Sequence, residues 1–213
     1  MSQMALHDWL AAERTALCVI DAQVDFISPQ GCLGVLGVDV VPLEQPLTQV
    51  QALLAKARST GVPVYFVGLR QPVEGCPASW QLWMERTNRA LEISNGLCRE
   101  GSPGAEFYGV QPLTGETVIW KQRYSAFYGT DLAAQLRNAG IDTLVVCGFT
   151  TECCVDSTVR DAFHQDFSVF IASDACGAYD LEQHRHSLDV LAESFAIRLD
   201  TGAIINAWST PHE

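Results

Sequence analysis

Residues 143–155, Thr143-Leu-Val-Val-Cys-Gly148-Phe-Thr-Thr-Glu-Cys-Cys154-Val155, pass from an apolar run rich in β-branched side chains, through a glycine turn, straight into a helical stretch. Strand, tight turn and helix in succession form the repeating joint of an α/β fold. Two more such runs stand out, Ala16 to Ile20 and Val62 to Val67; weaker ones cover Thr117 to Trp120, Ser168 to Ala172 and Phe195 to Leu199. They are apolar without strict alternation, as strands covered on both faces are. Helical periodicity lies between them. Leu43, Leu47, Val50, Leu54 and Ala57 recur at steps of three and four, and Gly61 is placed to end that helix. Others span Thr130 to Asn138, closed by Gly140, then Cys153 to Phe163 and Leu181 to Glu193. The alternation predicts a three-layer α/β/α fold around a mostly parallel six-stranded sheet. Ligands of such sheets collect at the carboxyl ends of the strands.

The 213 residues fit a single domain over 1–213. From Gln71 to Pro112 the rhythm breaks into an excursion with one predicted helix, Ser79 to Ile93, which suits a lid or a subunit contact. The net charge of −12 disfavours nucleic acid and anionic membranes as partners. A basic n-region with an apolar h-region is missing from the first residues, and no run approaches ~18 apolar residues. A cytoplasmic location is expected, with the eight cysteines reduced; none sits in a C-x-x-C pair of the zinc or dithiol kind. Gly31, Gly34 and Gly37 do not make a dinucleotide pattern and read as turn glycines. His184 and His186, two apart on a predicted helix, do not share a face and read as surface or packing residues rather than metal ligands.

Three reactive residues fall at predicted strand ends. Asp21 follows Leu17-Cys-Val-Ile, where a half-buried carboxylate suits a general base and a helix cap or turn is the plain alternative. Lys121 ends Val118-Ile-Trp, placed either to set positive charge beside a nucleophile or to be solvated at the strand tip. Cys154 lies in the first helical turn, where the helix dipole and open N–H groups favour thiolate and oxyanion alike; an inert buried cysteine is the alternative. Together at the ends of three strands, they predict one site.

The blocks around these residues resemble the isochorismatase-like cysteine hydrolases. Asp21-Ala-Gln-Val-Asp-Phe is similar to that family's D-x-Q-N-D-F, with Val24 in place of asparagine. Lys121-Gln-Arg-Tyr-Ser-Ala-Phe is similar to K-x-x-x-S-A-F, and Gly148-Phe-Thr-Thr-Glu-Cys-Cys154-Val to G-x-x-T-x-x-C-V. Val159-Arg-Asp-Ala-Phe, Ser173-Asp-Ala and His184 follow in the family's order, so the likeness covers nearly the whole chain. The resemblance implies a Rossmann-like topology, Asp21, Lys121 and Cys154 as catalytic triad, and Cys154 rather than Cys153 as nucleophile. It also implies backbone N–H groups of Thr150 and Cys154 as oxyanion hole, a cis Phe149–Thr150 peptide, and assembly as a homo-oligomer, dimer or tetramer.

Within that family, isochorismatases proper carry glycine where this chain has Cys154, and nicotinamidases bind metal through an aspartate and histidines after the second strand. Here that region reads Val67-Gly-Leu-Arg-Gln-Pro-Val-Glu, without histidine. The expected activity is thus cysteine-dependent hydrolysis of a small carboxamide or ureido substrate through a thioester, with no metal and no cofactor. The alternatives are a vinyl ether hydrolase, a nicotinamidase or an idle scaffold. Arg70 is a candidate for a substrate carboxylate or carbonyl, or a surface arginine. Phe26, Tyr124, Phe127 and Trp80 are candidate pocket walls, or core residues.

Overall fold

In the computed structural model, which describes residues 3–72, 78–88 and 96–209, the run around Val145 is one strand of a six-stranded sheet. The strands are β1 (Thr15–Ile20), β2 (Val64–Leu69), β3 (Thr117–Lys121), β4 (Thr143–Phe149), β5 (Ser168–Gly177) and β6 (Ile197–Leu199). Their spatial order is β3-β2-β1-β4-β5-β6, and every neighbouring pair is parallel. β1, β2 and β4 are buried along their whole length, which is why they carry no polar alternation.

Side chains alternate between two cores. Leu17, Val19, Phe66 and Val145 face helices Glu44–Thr60 and Thr201–Ser209. Cys18, Ile20, Val67, Ile119 and Val146 face helices Leu132–Asn138, Asp156–His164 and Leu181–Ser194. The predicted layers and parallel sheet are thus present.

The element bounds differ where local hydrogen bonding intervenes. Gly61 ends its helix in the left-handed conformation (φ 76°), and the Val62 N–H then bonds Ala57 O at 2.9 Å, so Val62 belongs to the cap and β2 starts at Val64. The Phe195 N–H likewise bonds Leu191 O at 2.9 Å, so β6 starts at Ile197. The helix expected from Ser79 is seen over Ala78–Arg86; its predicted later part, from residue 89 on, lies outside the described residues. Helices Gln3–Trp9, Val24–Ile27, Cys32–Val35 and Thr201–Ser209 were not predicted. No helix among the described residues is long and apolar enough to cross a membrane.

Candidate active site

The strand order reverses at β1, which pairs with β2 on one side and β4 on the other, so the crevice at their carboxyl ends is the topological switch point. Asp21 leaves β1 there with φ 47°, its N–H bonded to Val67 O of β2 at 2.8 Å. β3 ends on Lys121, and β4 runs into a single π-helical turn, Thr151–Val155, that carries Cys154. Gly148 permits this junction: its φ is 121°, and an added Cβ would come within 2.1 Å of Ile20 O. The Phe149–Thr150 peptide is cis. The turn winds about Thr150 O, which accepts from the N–H groups of Cys153 and Val155 at 3.1 and 3.2 Å.

Lys121, 100 positions from Asp21 and 33 from Cys154 in the chain, thereby meets both. Lys121 Nζ donates to Asp21 Oδ2 at 2.7 Å and lies 3.3 Å from Cys154 Sγ, with a third bond to Arg123 O at 3.1 Å. Asp21 and Lys121 are 0% and 1% exposed, so the ion pair is buried and each charge depends on the other. Burial opposes the lysine charge, but the Asp21 carboxylate and the Cys154 sulfur outweigh it and raise the ammonium pKa. The Cys154 thiol is pushed well above its ordinary value by its interaction with Cys153, by burial and by Asp21, with Lys121 alone opposing. The start of a helical turn favours thiolate, but Cys153, burial and the facing carboxylate favour the protonated thiol. Asp21 Oδ1 is buried and has no hydrogen-bond partner, a vacant acceptor in the same crevice.

Further polar residues, buried or partly buried, hold this arrangement. Gln23 Nε2 donates to Leu69 O and Ala105 O at 2.8 and 2.7 Å, and its Oε1 accepts from the Leu69 N–H at 2.7 Å, clamping the ends of β1 and β2. Thr158 donates to Cys154 O at 2.6 Å and accepts from the Ala126 N–H at 3.1 Å, joining the Cys154 turn to the loop after Lys121. His184 Nδ1 meets Thr151 Oγ1 at 2.8 Å, so it packs against that turn; burial and Arg198 lower its pKa. Gln71 is 1% exposed, and neither end of its amide has a partner.

Among the candidate pocket residues, Trp80 and Tyr124 pack with ring centroids 5.4 Å apart and line a cavity of about 370 Å³ with Ser79, Trp83 and Arg123. Arg123, one of its lining residues, accepts from Lys121 Nζ through its backbone O. Phe26 and Trp80 both pack on the small cluster of Leu69, Cys98 and Ala105. Phe127 instead lies in the core beside Phe167, centroids 5.8 Å apart. Arg70 stacks over Trp120 at 3.5 Å, its Nε buried and unpartnered; Trp120 and Lys121 alternate on β3, so it sits across the strand from the lysine. A larger cavity of about 670 Å³, lined by Trp9, Phe163 and Phe195 among others, lies where β4 and β5 begin, away from this chemistry.

A crevice at the switch point of a parallel sheet, holding a carboxylate, an ammonium and a thiol, defines a hydrolase-like class of α/β protein. The isochorismatase domain pattern matches residues 15–203, and the chain belongs to the isochorismatase family. It is 33% identical over 208 residues to the isochorismatase family protein YecD of Escherichia coli O157:H7, covering 93% of this chain and 98% of that one. It is 34% identical over 209 residues to the ureidoacrylate amidohydrolase RutB of Acinetobacter baylyi, covering 93% and 85%. A cysteine hydrolase from Pseudomonas syringae pv. phaseolicola superposes with a TM-score of 0.84 at 26% identity, covering 94% and 95%.

Proposed function

We propose that this protein is a metal-independent amidohydrolase that cleaves a C–N bond of a small carboxamide or ureido substrate through a thioester on Cys154. The observation that carries the reading is Lys121 Nζ bridging Asp21 Oδ2 and Cys154 Sγ, with Asp21 Oδ1 left buried and unpartnered. Asp21 takes the thiol proton as the sulfur attacks the carbonyl, and Lys121 stabilises the charges that result. Backbone N–H groups of Thr150 and Cys154 hold the oxyanion. As the tetrahedral adduct collapses, Asp21 returns the proton to the departing ammonia or amine. It then takes a proton from water, which attacks the thioester, frees the acid and restores the thiol.

Similarity to a protein named for ureidoacrylate hydrolysis supports a C–N bond as the target, and a cysteine at position 154 supports acyl transfer over ether cleavage. Trp80 and Tyr124 wall the substrate side in this reading, with the Phe26 ring packed on the same cluster as Trp80, while Arg70 lies across β3 from Lys121. The protein works as a dimer or tetramer, with exposed Leu82 on the excursion's helix offering apolar contact.

The test is ammonia release from a panel of small amides and ureido acids. Activity is expected on at least one of them, unchanged by chelator and absent in Cys154→Ala. Loss of activity with chelator would overturn the metal-free part, and turnover by Cys154→Ala the thioester.

A further inference from the structure

A closed circuit of contacts runs through the site by way of Thr158. Cys154 Sγ lies 3.3 Å from Lys121 Nζ, Lys121 Nζ donates to Arg123 O at 3.1 Å, and further along the same loop the Ala126 N–H donates to Thr158 Oγ1 at 3.1 Å. Thr158 Oγ1 in turn donates to Cys154 O at 2.6 Å, which returns the circuit to the residue it began on. A helical hydroxyl bonding the carbonyl four residues back is ordinary. The bond from Ala126 is not, since it spans 32 positions of chain and ties helix Asp156–His164 to residues 122–131, which form neither helix nor strand. Ala126 and Thr158 are 0% and 1% exposed, so water cannot readily replace either bond. Within the loop, Thr130 Oγ1 donates to Ala126 O at 2.6 Å and Ser125 Oγ accepts from the Phe127 N–H at 3.1 Å, which stiffens the chain around the point that Thr158 holds. Of the groups acting on the Cys154 thiol, Lys121 alone favours loss of its proton, and that influence falls with distance.

We propose that Thr158 is a positioning residue that sets the reach of Lys121 to Cys154: by fixing the loop at Ala126 it holds Arg123 O where that carbonyl keeps the ammonium beside the sulfur. Its part in turnover rests on Cys154 being the nucleophile. The hydroxyl is suited to this because it donates and accepts at once, one bond to each side of the crevice.

Iodoacetamide tests this without a known substrate. The thiolate displaces iodide, so at a fixed pH the alkylation rate of Cys154 follows its share of thiolate, and fragment masses separate Cys154 from Cys153. Thr158→Val keeps the shape but can neither donate nor accept, and should slow the reaction roughly 3- to 10-fold, as when the thiol holds its proton to about half to one pH unit higher. Thr158→Ser keeps both bonds and should stay within about twofold of wild type. The comparison is then repeated in an Asp21→Asn/Lys121→Met background, which has no ammonium to position. There Thr158→Val should change the rate by less than about twofold. An unchanged or faster rate in Thr158→Val, an equal fall in Thr158→Ser, or an equal fall in both backgrounds, as a merely loosened turn would give, would overturn the proposal. If Thr158→Val does not fold, Thr158→Ala takes its place. If the Asp21→Asn/Lys121→Met background does not fold, Val159→Ala decides: it loosens the same helix, keeps the hydroxyl and should leave the rate within about twofold, whereas a fall matching that of Thr158→Val would overturn the proposal. Turnover by Cys154→Ala would refute the thioester and leave these rates unaffected.

Discussion

A thiol buried beside a carboxylate keeps its proton, and Cys154 is in that position. Its pKa is raised by Cys153, by burial and by Asp21, so at neutral pH less of it is thiolate than of a free cysteine. The rate of its alkylation by iodoacetamide should accordingly lag behind free cysteine and still be climbing above pH 9.0. A plateau below about pH 8 would show the thiolate already formed at rest. The Lys121–Asp21 pair makes a second residue-scale prediction. Lys121→Met leaves a carboxylate buried without its counter-charge and should cost about 3–5 kcal/mol in denaturant unfolding. Adding Asp21→Asn should recover most of that stability and none of the activity. Recovered activity in the double variant would remove the ion pair from the chemistry. In the sequence Asp21 and Lys121 stand out because each ends an apolar run, and Cys154 because strand, glycine turn and helix succeed one another around it. Gln71 and Thr158 carry no such mark, since what distinguishes them is a buried atom or a bond across the fold.

Elements differ in how plainly their sequences announce them. The helix Glu44–Thr60 is legible because its apolar residues repeat over four turns and Gly61 supplies the left-handed cap. The helix Thr201–Ser209 carries Gly202 and Asn206 in nine residues and is held by Ile204, Ala207 and Trp208 in the core, with Thr201 bonded to Asp174 Oδ1 through both N–H and hydroxyl at 2.8 Å. Tertiary contacts outweigh weak local preference there, and single-turn helices such as Val24–Ile27 are too short to show a period. The joint between β4 and the Cys154 turn depends on Gly148 for conformation and for room against β1. Gly148→Ala should therefore cost at least about 2 kcal/mol and lower the melting temperature by roughly 5–10 °C. A melting temperature within about 2 °C of wild type would show that the β1–β4 crevice can open to admit a methyl group.

Across the whole molecule, the strand order brings the ends of β1 and β4 side by side, Ile20 beside Gly148, although 128 positions separate them in the chain. Alternation of strand and helix shows in the sequence that such a sheet exists, but the order of its strands is a property of the closed fold, and the meeting of Asp21, Lys121 and Cys154 follows from that order. An acidic chain of net charge −12 thus keeps one lysine fully inside, committed to the site. In the proposed reaction Cys154 carries the acyl group during turnover. Intact-protein mass spectrometry of the enzyme quenched during turnover of a slow amide substrate tests it most directly. An added mass equal to the substrate acyl group is expected, located on Cys154, lost on treatment with hydroxylamine and absent from Cys154→Ala. Turnover without that adduct in the wild type, together with retained activity in Cys154→Ala, would contradict it.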